Sequence, residues 1–133
     1  MAQWHLKSKR KPSGGKRKSL RRCSKKLAWK GRDPTLTTVA AEDVRVKIRG
    51  RGGNYKTVLK KAATATVIDP KTNKMEKAKI TRVLENSANR EFARRNVITK
   101  GAIIEVSIGE TVAKAKVVSR PSQCGVVQAI LLK

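Results

Sequence analysis

Alternation of apolar and cationic side chains is the clearest pattern in the chain. From Val44 to Arg49 every second residue is apolar and the residues between are Lys or Arg. A period of two is typical of a strand that buries one face. The following segment, GRGGN at 50–54, is a turn signal, so Tyr55 to Leu59 is predicted to be the returning strand of a hairpin.

Short segments of similar texture continue to the end of the chain. Further strands are predicted at 64–68, 77–84, 97–98, 102–108, 112–118 and 125–132, with a loop at 69–74. Evenly spaced strands with glycine-bearing turns predict a mainly β fold, a small closed or partly open β-barrel of about six strands. Closure is favoured because it removes edge strands.

One segment has a helical pattern. NSANREFARRN at 86–96 predicts a single short helix, with Asn86 or Ser87 as its N-cap. Glu91 and Arg95 would then form a favourable pair one turn apart.

Residues 1–34 lack the strand pattern. They hold 13 of the 33 Lys and Arg residues and one of the nine acidic residues, about half of the net charge of +24. Their few large apolar residues cannot offset the entropy of ordering, so this segment is expected to be disordered alone. We therefore divide the chain into a basic N-terminal extension, residues 1–34, and a β-barrel domain, residues 35–133.

The net charge indicates the partner. A compact chain with a charge of +24 repels itself unless a polyanion neutralises it, and nucleic acid is the leading polyanion. An acidic membrane surface or acidic protein is less favoured because the sequence has no long amphipathic helix. No segment approaches the roughly 18 apolar residues of a membrane span. The N-terminus, MAQWHLKSK, lacks the apolar core of a secretory signal, and the basic stretch lacks the amphipathic period of a transit peptide.

Residue types that carry catalysis or bind metals are sparse. Cys23 and Cys124 belong to no CxxC pair, and His5 is the one histidine. Two reduced thiols are preferred, while a disulfide between them stays open. GRGGN is no phosphate-binding Walker loop, and the scattered carboxylates resemble salt-bridge partners. We expect no enzymatic activity, no cofactor, no metal and no small-molecule substrate.

The basic extension contains the densest group of predicted nucleic-acid contacts. Residues 9–26, KRKPSGGKRKSLRRCSKK, include ten cations in eighteen residues. Lys and Arg neutralise phosphates and release counterions, and Arg also bridges phosphates or stacks on bases. The glycine pair lets the backbone turn and approach a phosphate closely. The predicted contacts are Lys9, Arg10, Lys11, Gly14, Gly15, Lys16, Arg17, Lys18, Arg21, Arg22, Lys25 and Lys26. A solvated tail or a nuclear localisation signal remains the alternative.

Cations of the β-barrel domain extend the predicted surface. Three flank the GRGGN turn, three lie on or beside the predicted helix, and one follows it. These residues are Arg49, Arg51, Lys56, Arg90, Arg94, Arg95 and Lys100. A solvated surface is the alternative for each of them. Aromatic residues are too isolated to form a base-stacking sheet, so recognition of RNA shape and backbone is favoured.

Four segments carry a family resemblance: RKPSGGK at 10–16, TVAAEDVRVKIRGRGGNYK at 38–56, ENSANREFARRNVITKGAIIEV at 85–106 and VVSRPSQCGVVQAILL at 117–132. In this order they resemble the archaeal and eukaryotic (e-type) family of small-subunit ribosomal protein eight, and the compact length resembles archaeal members. The family motifs fall on Arg10, Lys11, Ser13, Gly14, Gly15, Lys16, Gly52, Gly53, Asn54, Asn89, Arg90, Arg94 and Arg95. The chain departs from the family's Pro-Gly-Gln-Asp-Gly pattern at 121–125, PSQCG.

The resemblance implies a β-barrel-like domain bound to small-subunit ribosomal RNA, with the N-terminal arm threading into that RNA. It also implies neighbouring ribosomal proteins as partners, a cytoplasmic location in the small subunit, and a structural and assembly role without catalysis.

Two other functions stay open from the sequence. A DNA-binding architectural or chromatin protein would explain the charge, but the sequence shows no recognition helix or wedge residues for a groove. A small RNA-modifying enzyme would need a cofactor loop or metal cluster, and the sequence contains neither pattern.

Overall fold

The computed structural model describes residues 3–5, 7–18, 26–109 and 111–132. The chain divides into two compact units, Met1–Pro34 and Thr35–Lys133. The strands are β1 (Gln3–Trp4), β2 (Lys30–Gly31), β3 (Thr37–Val39), β4 (Val44–Arg49), β5 (Tyr55–Ala62), β6 (Thr64–Ile68), β7 (Met75–Glu85), β8 (Val97–Ile98), β9 (Ile103–Ile108), β10 (Thr111–Val117) and β11 (Gln128–Leu131). The helices are α1 (Arg90–Arg94) and α2 (Pro121–Cys124), with single 3-10 turns at Leu27–Trp29 and Arg51–Gly53. Within the described ranges, no helix is long and apolar enough to cross a membrane.

Five strands of the second unit close into a barrel in the order β10-β11-β6-β7-β9. Neighbouring strands are antiparallel except β11 and β6, which run parallel. Alternate residues of each strand point inward and are almost completely buried: Ala65, Val67, Ala78, Ile80, Ile104, Val106, Ala115, Val117 and Ala129. Side chains of this size suit the narrow interior of a small barrel. The predicted mainly β fold with a closed barrel and a short helix is confirmed.

The other strands of this unit form a second sheet in the order β4-β5-β3-β8. The short strand β3, which the sequence pattern did not predict, lies parallel to β5 and antiparallel to β8. Leu59, Ala62 and Ile98 of this sheet belong to the same buried cluster as the barrel interior. The barrel and the second sheet therefore share one hydrophobic core.

The hairpin of β4 and β5 is confirmed, but the predicted burial of β4 is wrong. β4 pairs antiparallel with β5 around the GRGGN turn. Val44 and Val46 nevertheless expose 39% and 40% of their surface. Alternation reports which side chains share a face of a strand, and it does not report whether a second layer covers that face. Because β4 is the edge strand of its sheet, much of its apolar face stays exposed.

The predicted helix is present, but it is shorter than the pattern suggested and has a different cap. Asn89 is the N-cap of α1, and its Oδ1 accepts a hydrogen bond from the Glu91 N–H at 2.9 Å. Neither Asn86 nor Ser87 caps the helix. Glu91 forms an ion pair with Arg94 at 3.3 Å, and not with the predicted partner, Arg95.

Asn86 has a structural role that excludes it from capping. Its side chain is 5% exposed, and its Nδ2 donates to the Val97 carbonyl at 3.1 Å. Its Oδ1 accepts from the Ala88 N–H at 3.0 Å and from the Thr99 hydroxyl at 2.9 Å. Asn86 thus fixes the segment before α1 to β8 and the residue after it, and both polar atoms of its buried amide have hydrogen-bond partners.

Asp43 fastens the start of β4 to the turn between β5 and β6. Its Oδ1 accepts from the Ala63 N–H at 2.7 Å, and its Oδ2 accepts from the Thr64 hydroxyl at 3.0 Å. The Arg45 guanidinium lies 3.3 Å from the same Oδ2. Burial alone would raise the pKa of Asp43, but these hydrogen bonds and the Arg45 charge together lower its pKa below 3.8.

A lowered pKa makes the contribution of Asp43 to stability dependent on pH. The contribution is complete above the unfolded-state pKa of 3.8 and is lost as the pH falls through the lower folded-state pKa. The Asp43→Asn variant should therefore be less stable than the parent at about pH 6, and the difference should shrink towards about pH 2. Urea unfolding of both proteins across this pH range measures the difference. A difference that stays constant over the range would contradict the assignment.

Candidate nucleic-acid interface

The segment KRKPSGGKR of the basic extension forms a hairpin, which we call the extension hairpin (residues 9–17). The Lys11 N–H donates to the Gly15 carbonyl at 2.8 Å, and the Gly14 N–H donates to the Lys11 carbonyl at 2.9 Å. Pro12 presets the first bend of the loop, and Gly14 adopts a φ of 82° at its end. A turn closed by a positive-φ glycine is a common hairpin connection, so the Pro-Ser-Gly-Gly sequence accounts for the local fold.

The extension hairpin concentrates positive charge without neutralising it. Arg10 and Lys16 occupy directly opposite positions. Like charges placed opposite each other destabilise a strand pair. The guanidinium groups of Arg10 and Arg17 donate to the carbonyls of Gly14 and Arg10, at 3.0 and 3.2 Å. In the described part of the chain, no carboxylate forms an ion pair with a hairpin cation. An external anion would relieve the repulsion that remains.

The predicted contacts of the basic extension that the structure describes are exposed. They are Lys9, Arg10, Lys11, Gly14, Gly15, Lys16, Arg17, Lys18 and Lys26. The Lys26 ammonium lies 5.6 Å from the centre of the Trp29 ring, a cation–π arrangement. Arg21, Arg22 and Lys25, and also Cys23, lie outside the described residues.

Two short strands join the ends of the basic extension. Gln3–Trp4 pairs antiparallel with Lys30–Gly31, and the His5 N–H donates to the Trp29 carbonyl at 2.8 Å. The expectation that the extension is disordered without a partner stays a prediction.

The cations around the GRGGN turn lie on an exposed hairpin tip. Arg51 begins the 3-10 turn, whose two glycines have φ values of 62° and 77°. An added Cβ on Gly53 would meet no atom within 4 Å, so the backbone there is open to a ligand. Arg49 and Lys56 are exposed on the two strands next to the turn. The structure therefore brings these three predicted contacts to one end of the β4–β5 hairpin.

Helix α1 carries a second exposed group of cations. Arg90 and Arg94 share a face at one-turn spacing, and Arg95 ends the helix. Glu91 lies 3.3 Å from Arg94, but both side chains are largely exposed, so this ion pair contributes little to stability. It leaves the helix with a net positive charge.

A cleft in the β-barrel domain brings together residues that are distant in the sequence. Its volume is about 450 Å³. We call it the basic cleft, and its lining consists of Lys56, Lys100, Val118, Ser119, Arg120, Gln123, Cys124 and Gln128. Sequence reasoning predicted Lys56 and Lys100 as separate contacts, and it missed Arg120 and the two glutamines. Of these three, only Gln123 lies in a segment that the sequence analysis had singled out as a departure from the family pattern, PSQCG at 121–125.

Helix α2 shapes one side of the basic cleft. Pro121 is its buried first residue, and Gly125 ends it with a φ of 74°. A Cβ on Gly125 would lie 3.0 Å from the Thr57 carbonyl oxygen of β5, so only glycine fits without a shift. The Arg45 Nε donates to the Gly125 carbonyl at 3.1 Å. PSQCG shares Gly125 with the family pattern, and Gly125 is the glycine that this packing requires.

Metal binding and disulfide formation receive no support from the described residues. They include no group of three or more His, Cys, Asp and Glu side chains able to hold a metal ion. The Cys124 thiol is free and exposed, and it donates to the Arg120 carbonyl at 3.1 Å. The disulfide that the sequence left open is therefore not formed at Cys124.

Comparison with known proteins identifies relatives along the whole chain. The family model of ribosomal protein S8e matches residues 4–132. A small ribosomal subunit protein eS8 from Hyperthermus butylicus is 49% identical over 133 residues, which cover all of this chain and 94% of the relative. The protein of that name from Ignicoccus hospitalis is 44% identical over 133 residues, which cover all of this chain and 98% of the relative. The one from Saccharolobus solfataricus is 50% identical over 103 residues, which cover 77% of this chain and 74% of the relative.

These matches include all four segments that carry the resemblance, so the recognition from sequence motifs is confirmed. The family consists of ribosomal structural proteins, and no catalytic activity is indicated for it. With a family model matching residues 4–132 and relatives of 44% to 49% identity over 133 residues, the chain belongs to the ribosomal protein S8e family.

Proposed function

We propose that this protein is a structural constituent of the small ribosomal subunit that binds and stabilises small-subunit ribosomal RNA. The contacts come from the basic extension and from the basic surfaces of the β-barrel domain. Family membership supports the assignment to the small subunit. One observation carries the RNA-binding part: the extension hairpin presents opposed, exposed cations without a carboxylate partner in the described chain.

The basic extension supplies most of the affinity. Each Lys or Arg that contacts a phosphate releases counterions, and the gains accumulate with the number of contacts. A hairpin is narrow enough to enter a groove of RNA, and its exposed face carries the side chains that bridge phosphates. We expect the extension as a whole to become ordered only on binding.

The β-barrel domain supplies position and orientation. The turn cations Arg49 and Arg51 and the helix cations Arg90, Arg94 and Arg95 are exposed on folded elements. Side chains on such elements lose less conformational freedom on binding than those on a tail. Their contacts fix the register of the protein on the folded RNA.

The same proposal sets location and partners. A small-subunit protein of this family works in the cytoplasm, where it lies among other ribosomal proteins. Neighbouring ribosomal proteins are therefore expected partners.

Competition between two polyanions tests the proposal. The full chain is bound to fluorescently labelled small-subunit ribosomal RNA and displaced with equal phosphate concentrations of unlabelled ribosomal RNA or duplex DNA, at matched salt. Ribosomal RNA should compete at least about tenfold better, because its folded shape is recognised in addition to its charge. Equal or better competition by duplex DNA would favour the DNA-binding alternative. Failure to sediment with small subunits would refute the ribosomal assignment.

A further inference from the structure

We propose that the basic cleft holds one unpaired nucleotide of RNA, with its phosphates on Lys56, Lys100 and Arg120 and its base against Gln123 and Gln128. This inference rests on the proposed function and adds a specific subsite to it. It also changes the expected mode of recognition, since the sequence favoured contacts with RNA shape and backbone alone.

The charge of the lining selects an anion. Three of its side chains are cationic, and none of the residues that line it is acidic. Lys56, Lys100 and Arg120 form no ion pair with the described carboxylates. Lysine binds phosphate as a point charge, and arginine binds it with two parallel hydrogen bonds. A phosphate group therefore matches all three cations.

The cleft has room for more than a phosphate. Its volume of about 450 Å³ falls in the range of pockets that bind small organic molecules. A regular duplex cannot enter a concave pocket, whereas a nucleotide turned out of a bulge or loop can. The cleft therefore fits a single unpaired nucleotide better than the backbone of a helix.

The uncharged lining residues suit a base. Gln123 and Gln128 each offer a carbonyl acceptor and two N–H donors, which is the combination that the edge of a base displays. Val118 is exposed at the same cleft and offers an apolar surface to the face of the ring. A binding site for phosphate alone would need neither group.

The backbone beneath the cleft is held in place before any ligand binds. The Ser119 hydroxyl donates to the Val126 carbonyl at 3.0 Å and accepts from the Gln128 N–H at 2.9 Å. The close approach of Gly125 to β5 fixes the end of α2. Arg120, Gln123 and Gln128 are therefore carried by a rigid segment, which reduces the entropy lost on binding.

A comparison of two RNA probes tests the inference. One probe is a fully paired two-stranded RNA duplex, and the other is an equimolar mixture of the same duplex with one bulged A, C, G or U and one base pair fewer. Affinities are measured with the full chain, and the readout is the ratio of affinity for the bulged and the paired RNA. Contacts of the basic extension with phosphates affect both probes and cancel in this ratio.

The parent should prefer the bulged RNA by about tenfold, the lower end of what one specific base contact provides. Arg120→Ala and the charge-neutral pair Gln123→Ala/Gln128→Ala should each lower the ratio to within about twofold of unity. Lys74→Ala removes an exposed cation that does not line the cleft, so it should weaken both probes equally and preserve the ratio. Circular dichroism of each variant verifies that the fold is retained.

Three results would overturn the inference. If the parent binds both probes without distinguishing them, the proposed function stands and the subsite fails. A preference that survives all the cleft variants would place the bulge elsewhere. Displacement of the bulged RNA by a poly-glutamate peptide from the parent, but not from Arg120→Ala, would assign the cleft to an acidic protein segment. Loss of all RNA binding at moderate salt would instead overturn the proposed function.

Discussion

A chain that begins at Thr35 should still fold, and it should bind small-subunit ribosomal RNA at least about 100-fold more weakly than the full chain at 150 mM salt. Folding is expected because, among the described residues, every member of the buried hydrophobic cluster belongs to this part of the chain. Weak binding is expected because the truncation removes 13 of the 33 Lys and Arg residues and only one of the nine acidic residues. Circular dichroism and fluorescence anisotropy measure the two effects.

A full-length control separates charge from length. It replaces with glutamine the five cations of the extension hairpin and the adjacent Lys18: Lys9, Arg10, Lys11, Lys16, Arg17 and Lys18. Because these are six of the 13 cations in the basic extension, this variant should show a large part of the loss while keeping the chain length. A truncated chain that binds within about threefold of the parent would contradict the role of the extension. An unfolded truncated chain would show that the extension belongs to the core.

Replacement of Ile104 by alanine should cost about 2 to 5 kcal/mol of the free energy of unfolding. Ile104 is 0% exposed and lies inside the barrel on β9, between β7 and β10. Removing most of its side chain leaves a cavity that a closed, hydrogen-bonded barrel cannot easily collapse. Such a loss is a large fraction of the stability of a small domain.

Ile130 provides the matched control for this substitution. It lies on the barrel strand β11, but it is 39% exposed on the outer surface. Ile130→Ala should therefore cost less than about 1 kcal/mol. Urea unfolding of both variants gives the two values. Similar losses for the two isoleucines would mean that the barrel interior has been assigned incorrectly.

Local signals explain the part of the fold that the sequence predicted. Turns with glycine or with Asp-Pro lie within a few residues of the strands that they join, so the β4–β5 hairpin and the loop at 69–74 follow directly from the sequence. The strand Thr64–Ile68 was predicted with the bounds that the structure has. In each case, the interaction that decides the structure is encoded within the same short segment.

Pairings between distant segments explain what was missed. The parallel contacts of β11 with β6 and of β3 with β5 leave no local trace in the sequence. The first closes the barrel, and the second joins β3 to the other sheet. The exposure of Val46 has the same origin, because it depends on the position of β4 at the sheet edge. In the helix segment, the sequence predicted Asn86 or Ser87 as the cap, and the contact of Asn86 with the distant Val97, which takes Asn86 out of that role, has no local signal.

The candidate site could be predicted only in part from the sequence, for the same reason. The cations of the extension hairpin and the turn are contiguous in the sequence, so composition alone singled them out. The basic cleft instead combines residues of β5, β11, α2 and the turn after β8, which meet only in the folded domain. Arg120 carried no local signal that separated it from other surface arginines.

The salt dependence of RNA binding by the full chain tests most directly whether ribosomal phosphates neutralise this protein. Affinity for small-subunit ribosomal RNA is measured between 50 and 200 mM monovalent salt. If six or more phosphates are contacted, affinity should fall by at least about 1,000-fold over this range. An affinity that stays within about threefold across the range would contradict binding through the cationic surfaces.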